Sequence, residues 1–333
     1  LDRAYRTFHD ALVLFTKLGN SKAIGIANNN LGNVLLAIYR ANHKARHLSV
    51  DNNPSQVIQK GCIYFKEAID YGEAALQQIN DLEGFSENYL VFMQQLSNRY
   101  FNRAMFLLTV KDDHPNPEEA KYQGMLDLTT CKDMDREVVD NGDREGFKGD
   151  QDVYFVLLMS RIKGLLHLMR MGYEDEWGID DLLEGAGLAL ESALRSREHE
   201  VFSELDLFGL RQRLEMASVE YYLLLGCGGS EDGEEAKCMY IRKAAQIAVR
   251  MLYEDDHVLG DGGLLALEAL LEASRVCYSA DDLSGADPRE VGCRVDNYRE
   301  ELLECMSRWA TCRLSGRECF EAANTGDFSM EAF

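Results

Sequence analysis

Small and large apolar residues recur along this chain at a spacing that fits one face of an α-helix. Ala4 is followed by Phe8 and Ala11, and the same small–large–small pattern returns from Gly61. Residues three or four positions apart lie on one side of a helix. Small side chains there let a second helix approach closely, and the large one interlocks with it. The pattern therefore predicts pairs of tightly packed helices.

The composition favours long helices. The chain has 333 residues, of which 46% are hydrophobic and only 4 are proline, so helix breakers are few. Apolar and polar residues rarely alternate between turn signals, and no strand is predicted. Glycine-rich runs at 226–233 and 260–263 are typical of loops between helices. We therefore expect an all-α fold.

A second pattern identifies the kind of helix pair. After the short turn Lys17-Leu18-Gly19-Asn20 comes the segment Ala27-Asn28-Asn29-Asn30-Leu31-Gly32-Asn33, with Leu-Gly at a close-contact point. Together with the opening helix, this segment resembles tetratricopeptide repeats, in particular the subclass whose first helix reads Asn-Asn-Leu-Gly-Asn. The resemblance is specific over residues 4–39. It implies a superhelical array of antiparallel helix hairpins, a tetratricopeptide-like α-solenoid.

Looser matches place further second helices near residues 61, 120, 186 and 236, about 50–66 residues apart, where the regular repeat is about 34. We predict irregular hairpins over 1–257, with a basic insert at about 42–60, and a divergent C-terminal helical cap at 258–333. Leu1 leads directly into a second helix, which leaves Phe8 without a covering first helix. A longer chain or a neighbouring subunit is expected to cover it.

Charge is distributed unevenly along the sequence. Residues 1–60 carry eight Lys/Arg against three Asp/Glu, whereas the whole chain has a net charge of −22. An acidic body argues against nucleic acid or an anionic membrane as the main partner. No apolar run reaches the length of a transmembrane helix, and no signal peptide is recognised at the start. We expect a cytoplasmic protein.

Five asparagines are the main candidates for binding a ligand: Asn29, Asn30 and Asn33 in one first helix, and Asn98 and Asn102 in the next. A side-chain amide both donates and accepts hydrogen bonds, so a row of them matches the backbone of an extended peptide. The resemblance implies peptide binding at these positions, on the concave face of the array. The alternative interpretation is that these amides bind one another or nearby loops between hairpins.

Arg161 and Arg211 are candidates for binding a carboxylate of the same peptide, because a guanidinium matches carboxylate geometry. The regular pattern of a carboxylate clamp is absent from the sequence. The helix around Arg161 offers mainly the apolar residues Leu158, Ile162 and Leu165. These favour a core contact over a ligand site.

An acidic segment imitates a calcium-binding loop. Asn141, Asp143, Glu145 and Asp152 occupy ligand positions 1, 3, 5 and 12 of an EF-hand, and a glycine stands at position 6. Lys148 stands where an apolar residue normally packs, and position 12 lacks the longer Glu. A solvated loop between helices is the preferred interpretation.

No pattern in the sequence indicates catalysis. The histidines form no metal-binding pair with a third ligand, and no glycine-rich phosphate loop follows a strand. We therefore expect neither enzymatic activity nor a cofactor. The sequence predicts a scaffold that binds a protein or peptide on the concave face. The alternative is a structural subunit or internal domain of a larger receptor, enzyme or assembly, with its groove filled by its own chain.

Overall fold

The structure is a computed structural model that describes residues 1–45, 54–83, 86–144, 151–175, 177–196, 204–227 and 234–254, together with Ala269. These residues form helices, and no strand occurs among them. The helices are α1 (Asp2–Leu18), α2 (Ser21–Ala45), α3 (Pro54–Glu83), α4 (Glu87–Val110), α5 (Pro117–Arg144), α6 (Gln151–Arg170), α7 (Ile179–Ser196), α8 (Glu204–Cys227) and α9 (Glu234–Glu254). A 3₁₀ turn, Lys111–Asp113, follows α4. The predicted all-α class is confirmed.

The chain divides into two compact units, Leu1–Asp150 and Gln151–Phe333. The first contains α1 to α5, and α6 to α9 belong to the second. The predicted basic insert at about 42–60 overlaps helical residues at both ends, because α2 continues to Ala45 and α3 begins at Pro54. The predicted cap at 258–333 lies outside the described residues, apart from Ala269.

Consecutive helices of the first unit pack against each other in an antiparallel manner. Between α3 and α4, Gly61 lies against the Phe106 ring, while Ala68, farther along α3, contacts Arg99, which comes earlier in α4. Contact positions thus rise along one helix as they fall along the next. This order of contacts defines an antiparallel helix hairpin.

The first helices of successive hairpins, α2 and α4, also touch, and they run in the same direction. Near the start of both helices, the Lys22 ammonium lies 4.6 Å from the centre of the Phe92 ring. Near their ends, Arg40 Nη2 donates a hydrogen bond of 3.4 Å to Thr109 Oγ1. Side-by-side first helices are the arrangement that a stack of helix hairpins produces. The first unit is therefore a helical-repeat array of antiparallel hairpins.

Glycine makes the closest helix contact possible at the centre of this unit. A Cβ on Gly32 of α2 would lie 2.6 Å from Cζ of Phe65 in α3, so only glycine fits beneath that ring. Phe65 in turn packs against Phe106 with ring centres 5.4 Å apart, and both side chains are fully buried. The small and large positions of the sequence pattern thus meet in the core.

The turn between α1 and α2 is short because each of its residues completes a helix end. Gly19 has the left-handed backbone of φ 64°, and its N–H donates to the Thr16 carbonyl at 3.1 Å. Asn20 then caps α2, with its Oδ1 accepting from the Ala23 N–H at 3.0 Å. The turn predicted at Lys17–Asn20 matches these two caps.

The helices of the second unit contact one another in the same order as those of the first. Successive helices pack together, and α6 also touches α8, as α2 touches α4 in the first unit. Asp175 organises the entry to α7 by accepting backbone N–H bonds from Trp177, Gly178 and Ile179, and the Tyr221 hydroxyl donates to it at 3.0 Å. A buried cluster joins α8 to α9 and consists of Val219, Leu223, Ile241, Ala244, Ala245, Ala248, Met251 and Ala269.

Among the residues that the structure describes, no helix is both long enough and apolar enough to cross a membrane.

Candidate functional site

Helix α2 is enclosed by three other helices of the first unit, since α1, α3 and α4 all pack against it. Most of its side chains between Ile24 and Arg40 are buried. One line of side chains stays exposed or half-buried at helical spacing, and we call it the α2 stripe: Lys22, Ile26, Asn30, Asn33, Ala37 and Arg40. Successive members are three or four positions apart, so they share one face of the helix.

The α2 stripe combines three kinds of chemistry. Lys22 and Arg40 place a cation at each end, and Ile26 exposes 44% of its apolar surface to solvent. The half-buried amides of Asn30 and Asn33 lie in the middle. Neither amide hydrogen-bonds to another of the described residues, so both keep donors and acceptors for a partner.

Asn29 and Asn102 have a different role. Asn102 Nδ2 donates a hydrogen bond of 3.1 Å to Asn29 Oδ1, which joins α4 to α2. Asn29 is only 9% exposed, and Asn98 on α4 also has an interaction partner. The alternative interpretation, contact between hairpins, therefore holds for one pair of these asparagines. Asn29 and Asn102 bind each other between hairpins, whereas Asn30 and Asn33 face outwards.

The neighbouring Asn28 is fully buried. Neither its Nδ2 nor its Oδ1 has a hydrogen-bond partner among the described residues. A buried amide without partners costs about 1–3 kcal/mol. Asn28 thus lowers the stability of α2 packing at a position beside the stripe.

Arg99 of α4 is a buried cation that the sequence did not single out. It is 6% exposed, and its Nη1 donates a 2.6 Å hydrogen bond to the Ala68 carbonyl of α3. Glycines on two other helices make room for it, because a Cβ on either Gly25 or Gly72 would lie 2.7 Å from that nitrogen. Burial lowers the pKa of Arg99. In the sequence, the glycines inside α2 and α3 were the available indication that a large side chain packs against both helices.

Arg40, at the end of the α2 stripe, has fewer hydrogen-bond acceptors around it than its guanidinium has donors. Its Nη2 reaches Thr109, but its Nε is buried without a hydrogen-bond partner, and no carboxylate of the described residues pairs with it. Burial lowers the pKa of Arg40 as well. A guanidinium with unused donors at the rim of a polar stripe is suited to bind an anionic group.

Arg103, in contrast, is neutralised inside its own hairpin. Its Nε and Nη2 donate to the two carboxylate oxygens of Asp127 at 2.6 and 2.7 Å, and Gln123 Nε2 donates to the same carboxylate at 2.8 Å. Burial alone would lower the pKa of Arg103, but the hydrogen bonds and charge of Asp127 raise it overall. This pair fastens α4 to α5.

The two arginines predicted to bind a carboxylate lie in the second unit. Arg161 in α6 is only 3% exposed and already has an interaction partner. Arg211 in α8 is exposed and pairs with Glu215, one turn along the same helix, at 3.5 Å. Leu158, Ile162 and Leu165 are buried around Arg161, in agreement with a core position.

The candidate calcium loop is largely helical where it is described. Asn141 and Asp143 lie in the last turn of α5, and Asp152 lies in the first turn of α6. Glu145 falls outside the described residues. An EF-hand loop wraps its ligands around the ion with an irregular backbone, which the helical positions 141 and 143 do not provide. Within the described residues, no group of three or more His, Cys, Asp or Glu side chains is placed to hold a metal ion.

Comparison with known proteins assigns this chain to no family. No protein-family model and no curated protein matches this chain. Among solved structures, it is similar to a "Circular tandem repeat protein with novel repeat topology and enhanced subunit contact surfaces", with 18% sequence identity and a TM-score of 0.43. The match covers 98% of the present chain. It covers 66% of the tandem repeat protein, which is slightly less than two thirds of its length.

Proposed function

We propose that this chain is a tetratricopeptide-like interaction scaffold that binds an extended segment of a partner protein along the α2 stripe. The observation that carries the proposal is the state of Asn30 and Asn33. They are half-buried, one turn apart and without hydrogen bonds to the described residues, while the amides of Asn29 and Asn102 are used to join helices. No catalytic role is part of the proposal.

The stripe has the physical properties that binding an extended segment requires. An extended backbone carries unpaired N–H and C=O groups, and side-chain amides satisfy both kinds. The amides of Asn30 and Asn33 belong to a helix held on three sides, so little side-chain and backbone freedom is lost when a ligand binds. Ile26 adds an apolar contact that is 44% exposed in the free protein.

The proposal is tested by affinity capture from a native extract with the wild type and with Asn30→Ala/Asn33→Ala. Because both amides face outwards, the double variant is expected to fold normally and to lose the specifically captured partner. The matched control is Gln77→Ala/Gln78→Ala, which removes two exposed amides from α3. Equal recovery of the same partner by the wild type and both variants would exclude these amides as the binding contact.

The alternative, in which the face is covered by another part of the same protein, is distinguished by solvent access. Hydrogen–deuterium exchange cannot report side chains directly, so cysteine replacement is preferable. Ala37→Cys lies on the α2 stripe, and Ala75→Cys lies at another half-buried position, on α3. Comparable thiol labelling at both positions supports an open stripe, whereas protection of Cys at position 37 alone supports a covered one.

A further inference from the structure

We infer that the segment bound along the α2 stripe is acidic, a conclusion that rests on the proposed function. The first helices of the hairpins, α2 and α4, together contain five Lys/Arg and one Asp/Glu. The second helices, α3 and α5, contain six Lys/Arg and thirteen Asp/Glu. Arg99 of this set is buried and Arg103 is paired with Asp127. Lys22 and Arg40, in contrast, lie on the stripe, in a chain whose net charge is −22.

The two cations of the stripe have no carboxylate partner within the part of the chain that the structure describes. Helix α2 has no Asp or Glu at all. Lys22 is exposed and rests over the Phe92 ring, and Arg40 reaches only the hydroxyl of Thr109, at 3.4 Å. A carboxylate from a partner would place a charged acceptor beside the half-buried Arg40, whose present hydrogen-bond partner is a neutral hydroxyl. It also neutralises a guanidinium whose charged form burial disfavours.

The separation of these cations sets the length of the segment. Lys22 and Arg40 lie about 27 Å apart along α2, at about 1.5 Å per residue. An extended chain covers that distance with about eight residues, at about 3.3 Å each. The occupant is therefore an internal segment with acidic residues about eight positions apart and neutral residues between them, opposite Asn30 and Asn33. Recognition depends on side-chain carboxylates and not on a chain terminus.

The test uses an array of twelve-residue peptides with an acetylated N-terminus and an amidated C-terminus, which removes the terminal charges. Pairs of Glu are placed two to nine positions apart on a background of Ser, Ala and Val, and a second series carries Lys in place of Glu. The Glu series with separations of six to nine is expected to bind most tightly. Its affinity should fall steeply as the salt concentration rises, because opposite charges attract across the interface.

Variants identify the cations. Lys22→Glu/Arg40→Glu is expected to weaken binding of the best Glu peptide by at least about tenfold, as reversing both contacts replaces attraction with repulsion. Lys60→Glu/Lys66→Glu, the same charge change on the exposed side of α3, should leave the affinity within about twofold. Lys22→Glu alone, at an exposed position, keeps the test valid if replacement of Arg40 perturbs folding.

The outcomes separate this inference from the proposed function. If the Lys series binds as well as the Glu series and Asn30→Ala/Asn33→Ala abolishes that binding, the acidic preference is wrong and the proposed function stands. If no peptide of either series binds while capture of the partner still depends on Asn30 and Asn33, the inference is wrong and the proposed function stands. If the charge variants change only a concentration-dependent self-association seen by sedimentation, the occupant is a second copy of this chain and the inference is overturned.

Discussion

Asn102 Nδ2 donates a hydrogen bond of 3.1 Å to Asn29 Oδ1, and this contact joins the first helices of two successive hairpins. It links α2 and α4 beside the stripe while leaving the amides of Asn30 and Asn33 facing outwards. Asparagines that look alike in sequence thus divide into a pair that holds the array together and a pair available to a ligand.

The amide pair predicts coupled stabilities. Asn29→Ala and Asn102→Ala should each lower the free energy of unfolding, and the double variant should lose less than the two losses added together. A coupling of about 0.5–1.5 kcal/mol is expected for such a hydrogen bond. Urea denaturation of all four proteins measures it. Strict additivity would show that the pair contributes no mutual stabilisation.

Gly72 is predicted to be intolerant of even a methyl group. A Cβ there would lie 2.7 Å from Arg99 Nη1 and 2.8 Å from Leu96 Cδ1. The overpacking cost of about 1–3 kcal/mol outweighs the helix-propensity gain of about 1 kcal/mol. Gly72→Ala should therefore lower the melting temperature. Gly187→Ala is the control, since a Cβ there meets nothing closer than 3.9 Å. An equal gain in stability at both positions would contradict the packing.

The Arg103–Asp127 ion pair predicts a large loss when one partner is removed. Asp127 is 1% exposed and accepts both guanidinium hydrogen bonds, so Asp127→Ala leaves a half-buried cation without its counter-charge. We expect a loss of about 3–5 kcal/mol in the free energy of unfolding.

The double variant Arg103→Leu/Asp127→Leu is the control for that prediction. Because it removes both charges and keeps apolar volume, it should be closer to the wild type than Asp127→Ala is. Chemical denaturation of the three proteins gives the comparison. A double variant less stable than Asp127→Ala would show that packing around the pair, and not the buried charge, determines the loss.

Cys62 is predicted to react slowly despite its contact with a histidine. Its sulfur lies 3.8 Å from His114 Nε2, yet burial raises the pKa of the thiol, with the charge of Arg103 acting in the opposite direction. The reactive thiolate therefore forms only at higher pH than in a free cysteine. The folded protein holds the Cys62 proton more strongly than the unfolded chain does. The free energy of unfolding therefore falls as the pH rises through the raised pKa of this thiol.

Iodoacetamide labelling between pH 7 and 10, read by mass spectrometry of individual peptides, tests this directly. Cys62 should label more slowly than free cysteine under the same conditions, and its rate should continue to rise at a pH where that of free cysteine has levelled. Faster labelling of Cys62 at pH 7 would mean that His114 stabilises the thiolate.

The helix pairs were predictable because their determinants are local in sequence. Gly32 and Phe65 each stand at their expected place in a short motif, and the packing of one on the other follows from helical spacing. The turn at Gly19 likewise follows from the backbone that glycine permits. Such features depend on only a few neighbouring residues, so a single sequence is enough to recognise them.

The site was predicted less completely because it depends on contacts between distant residues. Which amides face solvent is decided by where α4 meets α2, more than 70 positions apart in the Asn29–Asn102 pair. The buried guanidinium of Arg99 depends on glycines of two other helices, and a helix-interior glycine does not show which distant residue it accommodates. Five asparagines were therefore predicted as one set although only two lie on the stripe.

The most direct test of the α2 stripe as the binding surface is site-specific photo-crosslinking. A benzophenone amino acid replaces Ile26 on the stripe or Ile63 on α3, two isoleucines exposed to a similar extent, at 44% and 49%. Irradiation in native extract, followed by mass spectrometry, identifies what each position touches. We predict a specific crosslinked partner from position 26 that is lost in the Asn30→Ala/Asn33→Ala background, and none from position 63. The same partner crosslinked from both positions, or from position 63 alone, would contradict binding along α2.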